Sequence, residues 1–100
     1  MLTDYIDTIS ATKNLLRDFT AHEAALKGVN NGITRERAIA YFNAIMPVWM
    51  YISDDERFVL KACFIDNDAK RIMDLYGIQK SAAYERIEKA LHRFAHLIYW

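Results

Sequence analysis

The sequence predicts an all-α fold of about five helices, and three observations predict it. Apolar residues recur at three- and four-residue steps along nearly the whole chain. Ser and Thr stand where helix N-termini need a side-chain acceptor. Turn chemistry gathers at Asn30-Asn31-Gly32, at Asp66-Asn67-Asp68 and around Gly77. Gly and Pro are otherwise scarce, with 3 and 1 in 100 residues.

Thr3 is the expected cap of the first helix, whose stripe is Leu2, Tyr5, Ile9, Leu16, Phe19 and Leu26, broken by Thr12 and Glu23. Gly28 ends it. Thr34 caps a second helix in which Ala38, Phe42, Ile45, Trp49 and Ile52 keep helical spacing. Pro47 removes a backbone donor there and is expected to kink or restart that helix. Ser53-Asp54-Asp55-Glu56 is a capping box, in which the Ser hydroxyl takes an orphan amide and the Glu reaches back to the cap. The third helix runs on through Phe58, Val59, Leu60, Cys63 and Phe64. Asp66-Asn67-Asp68 supplies a turn and a cap for a fourth helix, Ala69 to Tyr76. Gly77 turns the chain sharply, Ile78 plugs the turn into the core, and a last helix starts near Lys80. Its inward side is Ala83, Ile87, Ala90, Leu91, Phe94, Leu97 and Ile98. The expected organisation is one helical domain, with residues 1–52 as an N-terminal helical hairpin and residues 53–100 as a helix-turn-helix part.

Composition bounds the function. Net charge is zero, which argues against a broadly basic nucleic-acid coat protein. From Ala69 to Trp100, however, six Lys/Arg face three acids, leaving a local excess of three positive charges over an equally acidic remainder. Cys63 is the only cysteine, so neither a disulfide framework nor paired zinc thiolates can form, which fits a reducing, cytoplasmic setting. The uncharged run from Ala38 to Ile52 is interrupted by Asn43 and Pro47 and is too short for a bilayer, so no membrane role is expected.

The outward side of the last helix carries Ser81, Ala82, Glu85, Arg86, Lys89 and Arg93. A helix, a short Gly turn and a second helix with a small residue, Ala83, at the crossing form helix-turn-helix grammar. At these residues the chain resembles region four of sigma factors, and more closely the small sigma-like regulators of phages and prophages (ArpU-like proteins). Ile52, Ser53, Asp54, Asp55, Glu56, Arg57 and Leu60 look like that family's acidic "L-x-x-x-E-R-x-x-L" helix. Ile72, Leu75, Gly77 and Ile78 look like its apolar helix and turn, and Ser81, Tyr84, Ala90 and Leu91 match the following helix. The likeness covers about the C-terminal half. Gln79 stands where the family has a Ser or Thr cap, Ala82-Ala83 replaces Thr-Val, and Glu85 replaces a basic residue. Losing that cation weakens contacts to phosphate and guanine.

The resemblance implies a transcription regulator that binds duplex DNA. Lys80 and Ser81 would touch phosphate beside Ala82 and Glu85, Arg86 and Lys89 would reach base edges or backbone, and Arg93 would meet a flanking phosphate. The N-terminal half would serve self-association or contact with RNA polymerase. The competing expectation is a protein-interaction adaptor that keeps the fold without DNA affinity, with Glu85 and Lys89 paired across one turn on a solvated face. The first-helix stripe steps in near-heptad fashion, as in a homodimeric coiled pair, or else packs on this chain's own second and last helices. His92 and His96 lie one turn apart but lack further ligands in sequence, so they read as surface histidines rather than a metal site. Cys63 has Lys61 as its only basic neighbour in sequence and reads as inert packing. Neither a cofactor nor an enzymatic activity is expected.

Overall fold

The computed structural model describes the backbone of residues 2–99 and the side chains of residues 7–99; the expected roles of the Leu2 and Tyr5 side chains and of Trp100 lie outside them. The fold is all-α. The chain runs through α1 (Leu2–Arg17), α2 (Phe19–Leu26), α3 (Arg35–Tyr51), α4 (Asp54–Leu60), α5 (Lys70–Tyr76) and α6 (Lys80–Tyr99). The five expected helices are present, the first divided at Asp18 into α1 and α2. Because α1 already begins at Leu2, Thr3 lies inside the helix rather than at its cap.

Asp18 stands between the two helices, still in a helical conformation at φ −80° and ψ −1°. Its carbonyl accepts from the His22 backbone N–H at 3.1 Å and from His22 Nδ1 at 2.7 Å. The ladder bond at Asp18 is kept, so the His22 ring adds a second donor to that carbonyl without displacing the first. His22 is buried and stacks on Tyr41, centroids 4.0 Å apart at 10°. Tyr41 donates its hydroxyl to the Leu15 carbonyl, which ties α3 to α1. Burial, and then the charge of Asp18, push the Tyr41 phenol far above its usual range. Thr12, expected as a break in the apolar stripe, is fully buried and donates to Thr8 O at 2.7 Å, so its hydroxyl is satisfied.

The caps fall where expected at two helices. Thr34 Oγ1 accepts from Arg37 N at 3.1 Å. Ser53 Oγ accepts from Glu56 N at 3.1 Å while Glu56 Oε1 accepts from Ser53 N at 2.9 Å. Pro47 does not restart α3, which runs unbroken across it. Its missing donor would have gone to Asn43 O, and both residues face solvent, so water can satisfy that carbonyl. α4 passes into one π-helical turn, Lys61–Ile65, closed by Asp66 N to Lys61 O at 2.8 Å. The segment from Phe58 to Ile65 is apolar on nearly every side, so a single helical register cannot bury all of it. The wide turn changes register midway, and Val59, Leu60, Ala62 and Phe64 are all buried.

Beyond it, Asn67 takes a left-handed φ of 53°, confirming the turn, but no side chain caps α5. The acidic loop does something else. Asp66 Oδ2 lies 2.9 Å from Lys61 Nζ and 2.8 Å from Arg71 Nη1. The Lys61 hydrogen bond first, and the Arg71 bond after it, hold this carboxyl below its ordinary range against the opposing effect of burial. A folded pKa depressed in this way contributes stability above the unfolded value of about 4, lost as pH falls through the lower folded value. Asp66→Asn should therefore melt earlier than the parent at pH 7, with the gap narrowing as pH falls below the unfolded value of about 4. Thermal melts by circular dichroism across that range check it; a gap that stays constant contradicts it.

The body measures 40 × 35 × 22 Å. α6 is the spine. It packs against α1, α3, α4 and α5, and α2 packs on α3. One core includes Leu16, Ile45, Trp49, Leu60, Ile72, Leu91 and Phe94, so helices from both halves of the chain share it. Of the first-helix stripe, Leu16 lies in this core and Ile9 and Phe19 pack against it, with α1 on α6. Among the described residues no helix is long and apolar enough to cross a membrane.

Candidate functional site

Gly77 closes α5 in the left-handed region at φ 62°, ψ 39°, where a Cβ would be strained. Ile78 then returns its N–H to Met73 O at 3.1 Å and packs on the core, which fixes where α6 departs. On α6, Ala83, Ile87, Ala90, Leu91, Phe94 and Ala95 are buried. Ser81, Glu85, Arg86, Lys89 and Arg93 are exposed, and Ala82 is half-buried.

Apart from Ser81, which is exposed in the first turn of α6, the expected site residues divide into three groups. Ala82, Glu85, Arg86 and Lys89 line one hollow with Ile78. Arg93 stands apart: its Nε lies 3.1 Å from Glu56 Oε2, and its guanidinium is 5.9 Å from the Tyr51 ring centre. Lys80 leaves the group altogether. Its Nζ lies 5.7 Å from the Tyr84 ring centre, and it lines the groove between α5 and α6 with Ala69, Lys70 and Met73. The expected pair of Glu85 with Lys89 is not formed within ion-pair distance.

Three residues that sequence reasoning left out complete the surface. Tyr76 carries the Arg86 guanidinium 4.2 Å from its ring centre and donates its hydroxyl to Asp55 Oδ1 at 2.9 Å. Burial, then the hydrogen bond to Asp55, raise the Tyr76 phenol above its usual range. Asp55 and Glu56 line a second hollow with Val59, Arg86, Lys89 and Ala90. The capping box made Glu56 visible as a local cap, yet its second oxygen reaches α6. The outer surface here is of mixed sign, with Arg86, Lys89 and Arg93 matched by Asp55, Glu56 and Glu85.

Arg57, beside the capping box, has a structural task. Its Nη1 donates to Ile52 O at 2.8 Å, Trp49 O at 3.1 Å and Met50 O at 3.4 Å, and its other nitrogen pairs with Asp54. These carbonyls belong to the end of α3, where the last turn lacks helical partners. Of the remaining apolar positions in the family-like pattern, Ile52, Leu60, Ile72, Ala90 and Leu91 are buried, whereas Leu75 and Tyr84 are exposed.

Cys63 is half-buried between α1 and α6, and the fold brings Arg17 and Lys13 beside it, neighbours that the sequence order conceals. Burial outweighs those cations and pushes the thiol up. Among the described residues no three His, Cys, Asp or Glu side chains gather to hold a metal ion, and His92 and His96 are both exposed. Comparison with protein-family models, curated proteins and solved structures gives no match to this chain.

Proposed function

We propose that the chain is a small transcription regulator, of the phage or prophage type its C-terminal half resembles, which binds duplex DNA with the outward face of α6. Arg86 and Lys89 would reach base edges or phosphate in the major groove, Ser81 a phosphate near the helix start, and Arg93 a flanking phosphate. One observation carries the reading. Arg86 and Lys89 stand exposed on a 20-residue helix whose opposite side is core, so the helix is held rigidly while that face stays open. Selection from a random duplex library, followed by titration against salt, tests it. Affinity should fall with a log–log slope of about −0.9 per phosphate neutralised. Arg86→Ala with Lys89→Ala should weaken binding about tenfold or more and lower the slope magnitude by about two. The variant loses the Arg86–Tyr76 contact, worth about 0.5–1 kcal/mol, so it should still fold.

A second reading, a protein-interaction adaptor with little DNA affinity, is favoured by a different observation. Asp55, Glu56 and Glu85 offset the three cations of the outer face, and a polyanion gains little from a neutral surface. No salt-sensitive binding to any duplex pool would select it.

A further inference from the structure

The two flanks of α6 differ. On the flank away from Asp55 and Glu56, two adjoining hollows of about 200 and 240 Å³ share Tyr84 and Ile87. The first lies between α5 and α6, floored by Ala69, Met73 and Ala83 and edged by Lys70 and Lys80. The second lies between α1, the π turn and α6, floored by Ile9, Phe64 and Leu91 and edged by Lys13 and Arg17. Arg17 is held there over the Phe64 ring at 5.6 Å. The combined edge has four Lys/Arg and a single acid, Glu88, on a chain whose net charge is zero.

We infer that this trough is a docking groove for an acidic amphipathic segment of a partner protein. Along α6 it runs from Lys80 to His92, about 18 Å at 1.5 Å per residue, the length of about three turns of a docked helix. The apolar floor takes the segment's hydrophobic anchors, and Tyr84, half exposed, is the ring they close over. The cations at each end meet its acids. A nucleic-acid backbone would use the cations and leave the apolar floor empty, so the floor decides for a peptide. The groove is separate from the face assigned to DNA and does not depend on that assignment.

The test is fluorescence anisotropy of the full chain with two labelled 16-residue helix-forming peptides. Both carry Leu and Phe at i, i+4 and i+7, one with Glu and Asp and the other with Lys between them. The acidic peptide should bind saturably and the basic one at least tenfold more weakly. Lys70→Glu with Lys80→Glu, at two exposed positions, should reverse that preference at an unchanged melting temperature. Tyr84→Ala should weaken the acidic peptide at unchanged charge. Equal binding of the two peptides, or indifference to the charge reversal, would overturn the inference. So would a 20-base-pair duplex that competes with the peptide and loses its own binding on the same reversal, which would make the trough a phosphate surface.

Discussion

Phe94→Ala should lower the melting temperature by at least about 12 °C. The side chain is fully buried on the inward side of α6, and its ring meets Trp49 edge to face, centroids 6.0 Å apart at 80°. Truncating a buried Phe costs about 3–5 kcal/mol, because transfer energy is lost and the cavity closes only in part. In a domain of this size each kcal/mol moves the midpoint by about 4–8 °C. α6 touches four other helices, so the site has little freedom to collapse around the gap. Phe94→Leu should recover most of the loss, since it retains much of the volume. Thermal melts of the two variants decide this. A fall of under about 4 °C for Phe94→Ala would mean that the packing around α6 is loose.

Arg57→Leu should cost about 2–3 kcal/mol. The guanidinium binds three carbonyls at the end of α3, and hydrogen bonds to a charged group contribute about 1.5–3 kcal/mol before solvent screening lowers the exposed part. Leucine keeps part of the aliphatic stem and removes the donors together with the charge that pairs with Asp54; that carboxylate is almost fully exposed and the pair contributes little, so the loss reports mainly on the clamp. Arg57→Lys should recover little, because the lysine stem ends one atom short of the Nη1 position on which the carbonyls converge and has no second nitrogen for Asp54. Urea unfolding at constant slope is the measurement. Equal stability of the Leu variant and the parent would show that water satisfies these carbonyls just as well.

What was legible in the sequence was local. Thr34 and Ser53–Glu56 make their capping bonds within three residues, and Gly77 needs only its own backbone, so residue type and spacing suffice to place them. The all-α class followed from such signals and from apolar spacing. What stayed hidden joins distant parts of the chain or breaks the regular period. Arg93 finds Glu56, Tyr41 finds Leu15 and Tyr76 finds Asp55 only after the helices have packed. The π turn arises from competition to bury a segment that is apolar all round, which no single helical period encodes. For the candidate site, helical spacing gave the outward position of Arg86 and Lys89. It could not show that Lys80 turns to the opposite flank or that α4 sets acids beside the cations.

Because α6 is both the central strut and the bearer of the candidate surfaces, its twenty positions split into two nearly independent alphabets. Ser81, Glu85 and Lys89 are exposed, so their identities can drift while Ala83, Ile87 and Phe94 stay put. A lineage could thus acquire a new target by rewriting a few outward letters, without weakening the scaffold that presents them.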